Sequence, residues 1–195
     1  MALRWYQFRL RTLFIVTAVF AVWLGYLCSG ARQQRLASEA IAQFGGSVTY
    51  DYQVDYQARV FRENAPMPGP AWLRRMIGND WFISVQGVGL PFTGVTDDDV
   101  AEHLQKLPDV RSLQLDGTRV GDGVLRSVER MSRLRHLSLF GTRVTDTGLV
   151  HLEHLSHLEL LDLRKTKVTE EGVNNLQRKL PNCRIEATIT QQRHK

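Results

Sequence analysis

The sequence predicts an α/β solenoid built from short stacked repeats, and three observations predict it. One thirteen-residue phrase occurs four times, at Val85–Asp97, Val110–Asp122, Leu134–Asp146 and Leu158–Glu170, with start points 25, 24 and 24 residues apart. Each phrase holds apolar residues at alternate positions, the period of a strand with one buried face. After each phrase the apolar period lengthens to that of a helix. A unit of this size buries its apolar side only against copies of itself, so the period implies stacking.

The elements follow in chain order. Residues 1–11 form a basic N-terminal tail. Thr12–Ala31 holds 20 residues without a charge, about the number needed for a helix to cross a ~30 Å hydrocarbon core. Arg4, Arg9 and Arg11 precede it, Arg32 and Arg35 follow it, and Trp5, Tyr6, Trp23 and Tyr26 lie near its ends as interfacial anchors do. The expectation is a single-pass transmembrane helix over 12–31. The larger positive count on its N-terminal side puts the repeats outside the cytoplasm. Ser29 and Ala31 supply the small residues that a signal peptidase reads, so cleavage and secretion are the alternative; the length of the uncharged run favours retention. Cys28 lacks the small residue that a lipoprotein cleavage motif has just before its cysteine.

Residues 32–61 are expected to form a juxtamembrane α+β segment. Arg32–Phe44 reads as a helix stopped by Gly45-Gly46. Val48, Tyr50, Tyr52, Val54, Tyr56, Ala58 and Val60 then alternate with polar residues, which predicts one long strand or a hairpin. A tyrosine-bearing face of this kind packs against a neighbouring element more readily than it binds a sugar or an aromatic ligand. Residues 62–81 hold three of the six prolines and then the segment AWLRRMIG. That segment is expected to be a helix which, with Trp81 and Phe82, caps the first repeat.

Residues 82–189 carry the repeats. Val88 and Leu90, Leu113 and Leu115, Leu137 and Leu139, and Leu161 and Leu163 are the inward strand pairs. Thr93, Thr118, Thr142 and Thr166 recur three residues later, where a hydroxyl can satisfy turn backbone groups. Thr96, Thr145 and Thr169 stand as helix N-caps, each followed by an acid favoured by the helix dipole. The second unit departs with Gly121 and is one residue shorter. A degenerate fifth unit, with Ile185 and Ala187 at the strand positions, closes the array before the polar tail at 190–195.

The pattern L-x-x-L-x-L-x-x-T-x-V-T-D-x-G-L-x-x-L resembles the leucine-rich repeat, and among its subclasses the cysteine-containing type, with threonine where asparagine or cysteine is usual. The order of charged anchor, tyrosine-rich strand, GPAWLRR helix and short array is similar to small membrane-anchored leucine-rich-repeat proteins of bacteria. The resemblance implies a concave face lined by the exposed strand residues. Here these are Ser112, Gln114 and Asp116; His136, Ser138 and Phe140; and Leu160, Asp162 and Arg164. Phe140, Leu160 and Arg164 are the expected energetic anchors, since apolar and guanidinium groups at a centre dominate most interfaces.

Charge and motif content narrow the function. Five arginines and no acids in residues 1–35 account for the whole net charge of +5; the other twenty basic residues match twenty acids. No concentrated basic footprint for nucleic acid remains. His151, His154 and His157, with Glu153, are spaced three apart, but there is no HExxH or CxxC, and solvated positions account for them. No nucleophile elbow, phosphate loop or dinucleotide glycine pattern occurs, and the paired acids sit at helix starts. Arg119, Arg143 and Lys167 form a stacked column that Asp122, Asp146 and Glu170 are expected to neutralise. Cys183 reads as a buried apolar residue. The expected function is non-enzymatic protein–protein interaction on a membrane, with no cofactor or metal. Structural self-association through the tyrosine-bearing strand is the alternative, and a hydrolase or metal-binding role ranks behind both.

Overall fold

The computed structural model describes residues 3–55 and 60–188, apart from the side chains of residues 3–11, 24–28, 55, 60 and 77. A long helix α1 (Leu3–Gln43) leads into β1 (Ser47–Tyr50), a 3₁₀ turn over Asp51–Gln53, and the short pair β2 (Val54–Asp55) and β3 (Val60–Phe61). Then come α2 (Ala71–Ile77), β4 (Val85–Gly89), α3 (Asp97–Leu104), β5 (Ser112–Gln114) and α4 (Asp122–Val128). The chain closes with β6 (His136–Ser138), α5 (Asp146–Leu149), β7 (Leu160–Leu163), α6 (Glu170–Lys179) and β8 (Arg184–Ala187).

The main sheet has the order β1-β4-β5-β6-β7-β8. From β4 to β8 the strands run parallel and in step, so Val88, Leu113, Leu137, Leu161 and Ile185 form one inward row. Leu113, Leu137 and Leu161 are at most 1 % exposed, as are Leu115 and Leu139 beneath them. The expected α/β solenoid of stacked repeats is what these registers describe, with the degenerate fifth unit supplying β8.

The joints between repeats are built by side chains. Thr93, Thr118, Thr142 and Thr166 each donate their hydroxyl to the carbonyl three residues back, at 2.9, 2.6, 2.7 and 2.6 Å. The Leu115, Leu139 and Leu163 carbonyls also accept the threonine's own N–H, so the hydroxyl fills the second acceptor position of each and tightens the turn. The acids work between units rather than within them. The Asp97 carboxylate accepts the Gly121 N–H at 2.8 Å. Asp122 accepts the N–H and hydroxyl of Thr145, and Asp146 those of Thr169, at 2.8 and 2.6 Å in both cases. A glycine makes room each time: a Cβ at Gly123 would lie 2.7 Å from Asp97, and at Gly148 and Gly172 it would strike Asp122 and Asp146. The first unit, with no unit before it, has Asp99 at that place. Asp99 closes a capping box with Thr96 and is held below the usual carboxylate range, first by the Thr96 hydroxyl and then by its N–H.

This arrangement corrects the expected neutralisation of Arg119, Arg143 and Lys167. Those three side chains are exposed and, among the described residues, form no ion pair with the acids, because Asp122 and Asp146 face the next unit's threonine. Cys183 is 4 % exposed, and burial pushes its thiol up to about 11.

The first repeat is covered differently from expectation. β1 pairs antiparallel with β4, with Val48 opposite Val88 and Tyr50 opposite Val85 across a bulge. The end of α1 buries Ala37 and Ile41 in the same core, while Phe44, Val48 and Tyr50 pack against it. The helix expected as the cap, α2, leaves Trp72 62 % and Met76 74 % exposed. The alternating stretch is neither one strand nor one hairpin: it breaks at the Asp51–Gln53 turn, where Asp51 accepts the Ser84 N–H at 3.1 Å. Tyr56 and Ala58 of that stretch, and the polar tail at 190–195, lie outside the described residues.

The transmembrane expectation also meets a limit. Residues 12–31 are helical throughout, and Leu13, Phe14, Ile15, Val16, Val19, Phe20, Val22 and Trp23 are all exposed. Among the described residues, however, no helix is long and apolar enough to cross a membrane.

Candidate functional site: the concave face

Residues that alternate with the inward leucines lie on the outer face of the sheet, the one the resemblance leads one to expect as concave. Register places Thr49, Gly87, Ser112, His136, Leu160 and Arg184 in one row across the strands. Ser47, Gly89, Gln114, Ser138, Asp162 and Glu186 form the second row. The two halves of this face differ.

The half around β1, β4 and β5 is open. A groove of about 820 Å³ is bounded by Ser47, Thr49, Gly87, Gly89, Ser112 and Gln114, with Val54 and Phe61 of the β2–β3 pair on one side and Arg135, His136 and Glu159 on another. The glycines create the depression, since β4 has no side chain at either outward position. They also let β1 approach: a Cβ at Gly87 would lie 3.2 Å from the Thr49 Cβ, and one at Gly89 would lie 2.9 Å from the Ser47 hydroxyl. Arg135 and Glu159 pair at 2.6 Å, and His136 stands 3.8 Å from the same carboxylate.

The other half is tied down. Asp116 accepts the Ser138 hydroxyl and, at 3.2 Å, the Phe140 N–H. Asp162, only 9 % exposed, accepts the N–H, Nε and Nη2 of Arg164 at 3.0, 2.9 and 2.6 Å. Burial pushes the Asp162 carboxyl up. The hydrogen bonds and charge of Arg164 outweigh that and hold it below the usual carboxylate range. Arg164 also meets Glu186 at 3.7 Å, and the Phe140 ring lies under Arg164 at 5.7 Å and Lys165 at 5.0 Å.

The nine residues expected on the concave face thus divide. Ser112, Gln114 and His136 join the groove. Asp116 and Ser138 hold each other, while Phe140, Leu160, Asp162 and Arg164 lie beyond it. Sequence reasoning missed Ser47, Thr49, Val54, Phe61, Arg135 and Glu159, and it missed the floor. Gly87 and Gly89 were the available signal, because the other units carry side chains at both places. The histidine series does not converge: His151 meets Glu129 at 2.9 Å, while His154 and His157 are exposed in turns past the helix. Among the described residues no group of three His, Cys, Asp or Glu side chains could hold a metal ion.

No family model matches the chain, and no curated protein matches it. Solved structures do. Both of the following are leucine-rich-repeat proteins. An internalin from Listeria monocytogenes matches 55 % of this chain at 13 % identity, with a TM-score of 0.41. A leucine-rich-repeat protein from Leptospira interrogans matches 43 % at 18 % identity, with a TM-score of 0.34. The chain spans 36 % and 27 % of the length of those two proteins. The repeat architecture rests on the registers and joints above, not on these likenesses.

Proposed function

We propose that this chain is a non-enzymatic interaction module that captures a protein partner on its concave face while α1 holds it at a membrane. The observation that carries the reading is the outer face of the parallel sheet, where Phe140 and Leu160 stay partly exposed beside the exposed Arg164. A parallel sheet with helices behind it leaves this one face free, and recognition falls to the residues on it. The arginine-flanked uncharged run and the exposed apolar side chains of α1 support the anchor. The excess of arginines before the run supports an extracytoplasmic position for the repeats.

Crosslinking capture from native membranes tests the module. Wild type is expected to retain a partner that Phe140→Ala/Leu160→Ala/Arg164→Ala loses; equal capture by both forms removes the proposed anchors. Protease accessibility of the repeats in intact cells tests their side of the membrane. A second reading, self-association, draws on β1, which ends the sheet. Tyr50 packs toward the core, so any pairing would use the strand edge rather than the tyrosine face. Light scattering of the full chain in detergent decides it: a monomer at all concentrations excludes it.

A further inference from the structure

We propose that the groove floored by Gly87 and Gly89 binds an uncharged, hydroxyl-bearing oligosaccharide. The proposal rests on the reading of the concave face as a binding face, and it names the chemistry of one part of that face.

Beside Gln86, which is buried and donates to the Ser84 hydroxyl, four neutral polar side chains line the groove over its buried glycines: Ser47, Thr49, Ser112 and Gln114. None of these four makes a side-chain hydrogen bond to another described residue. The hydroxyls at the joints between repeats are built the other way, while Ser132, Thr147 and Ser156 are exposed on the loops and helices. The threonine column and the Thr96, Thr145 and Thr169 caps all have engaged hydroxyls, as does Ser138. Hydroxyls and a primary amide both donate and accept, which is what a ring of sugar hydroxyls requires of its site.

The charges point the same way. Arg135 and Glu159 satisfy each other at 2.6 Å, with His136 beside the same carboxylate, so the cation and the anion at the groove are already matched. A charged ligand would have to break that pair; a neutral one leaves it intact. On the opposite side Val54 and the 57 % exposed Phe61 form an apolar wall. A pyranose is amphipathic in the same sense, with a C–H face and a hydroxyl rim. The volume of about 820 Å³ lies within the ~300–1,000 Å³ of small-ligand sites. An extended peptide fits less well. The sheet backbone beneath is already paired, so the peptide gains no main-chain ladder, and a glycine floor offers no pockets for alternate side chains.

The test is calorimetric titration of the full chain, in a detergent without a sugar headgroup, with cellohexaose, chitohexaose and maltohexaose. Oligogalacturonate and a neutral hexapeptide serve as the comparison probes. At least one neutral saccharide is expected to bind saturably at millimolar concentration or below. Ser112→Ala/Gln114→Leu is expected to weaken it about tenfold, the loss of one or two net hydrogen bonds. Phe61→Ala should weaken it independently of that pair, and Met76→Ala on α2, outside the groove, should leave it unchanged. No saturation by any neutral saccharide, tighter binding of the anionic probe or the peptide, or unaltered binding by both groove variants would each overturn the proposal. Protein capture is read separately. Capture without saccharide binding overturns this inference alone, and saccharide binding without capture overturns the protein-binding reading alone.

Discussion

β4 and β7 carry the same repeated phrase, yet their two faces have diverged to different degrees. Inward, Val88 and Leu90 match Leu161 and Leu163, and all four are at most 2 % exposed. Outward, β4 has Gly87 and Gly89, where β7 has Leu160 and Asp162, the latter clamped to Arg164. The stacked core tolerates little at inward positions, because each leucine packs against its copies one unit away. The outward positions are free of that constraint, so one end of the sheet is open and uncommitted while the other is cross-linked by charge. What repeats in this molecule is its scaffold, and what fails to repeat is where binding is proposed.

That contrast can be broken in four ways, taken from the largest expected effect to the smallest. Leu137→Ala removes an inward residue that is 1 % exposed, and a loss of about 2–5 kcal/mol in urea unfolding is expected. A loss under 1 kcal/mol would mean that the stack is not packed as described. Gly148→Ala forces a methyl into Asp122 and should cost about 1–3 kcal/mol. The double variant Asp122→Ala/Gly148→Ala should recover part of this, and strict additivity would show that the two positions are not in contact.

The outward network of β7 gives a smaller, pH-dependent effect. The folded-state pKa of Asp162 is depressed, so its contribution is fully present above the ordinary carboxylate range and is lost as pH falls through the depressed value. The partly exposed Arg164 limits that contribution to about 1 kcal/mol or less. Wild type should therefore lose more stability than Asp162→Asn between neutral and strongly acidic pH; parallel curves would discount the clamp. Smallest of all is Gln114→Leu in the open half. It should change stability by no more than about 0.5 kcal/mol, because its amide bonds to no other described residue. A large loss there would assign the groove a structural role.

The inward rows, the threonine column, the three threonine N-cap positions and the degenerate fifth strand were all legible from the sequence, because each depends on local spacing; that the Thr145 hydroxyl bonds Asp122 rather than its own helix was not. Nor was the first-repeat cap. Pairing of Ser47–Tyr50 with β4 depends on an antiparallel meeting of segments some forty residues apart and on a bulge after Thr49, neither of which alternation encodes. The acids were misassigned for a related reason. Within one phrase Asp122 stands near Arg119, but stacking brings the Thr145 N–H and hydroxyl of the next unit closer. Likewise Phe140 and Arg164 read as free anchors along the chain, whereas the fold places Arg164 against both Asp162 and Glu186.

The relay of Asp97, Asp122 and Asp146 into the glycine-bearing turn of the following unit sets how such a chain can lengthen. A copied block of 24 residues, Val110–Arg133, presents both halves of the joint: an acid to hand forward and a glycine to receive one. Duplicated in tandem, it would meet matching surfaces on either side and extend the array without a seam. The first unit has no such liberty, since Asp99 fills the receiving place and β1 covers the strand. Growth by gene duplication is open in the interior of this solenoid and closed at its N-terminal end.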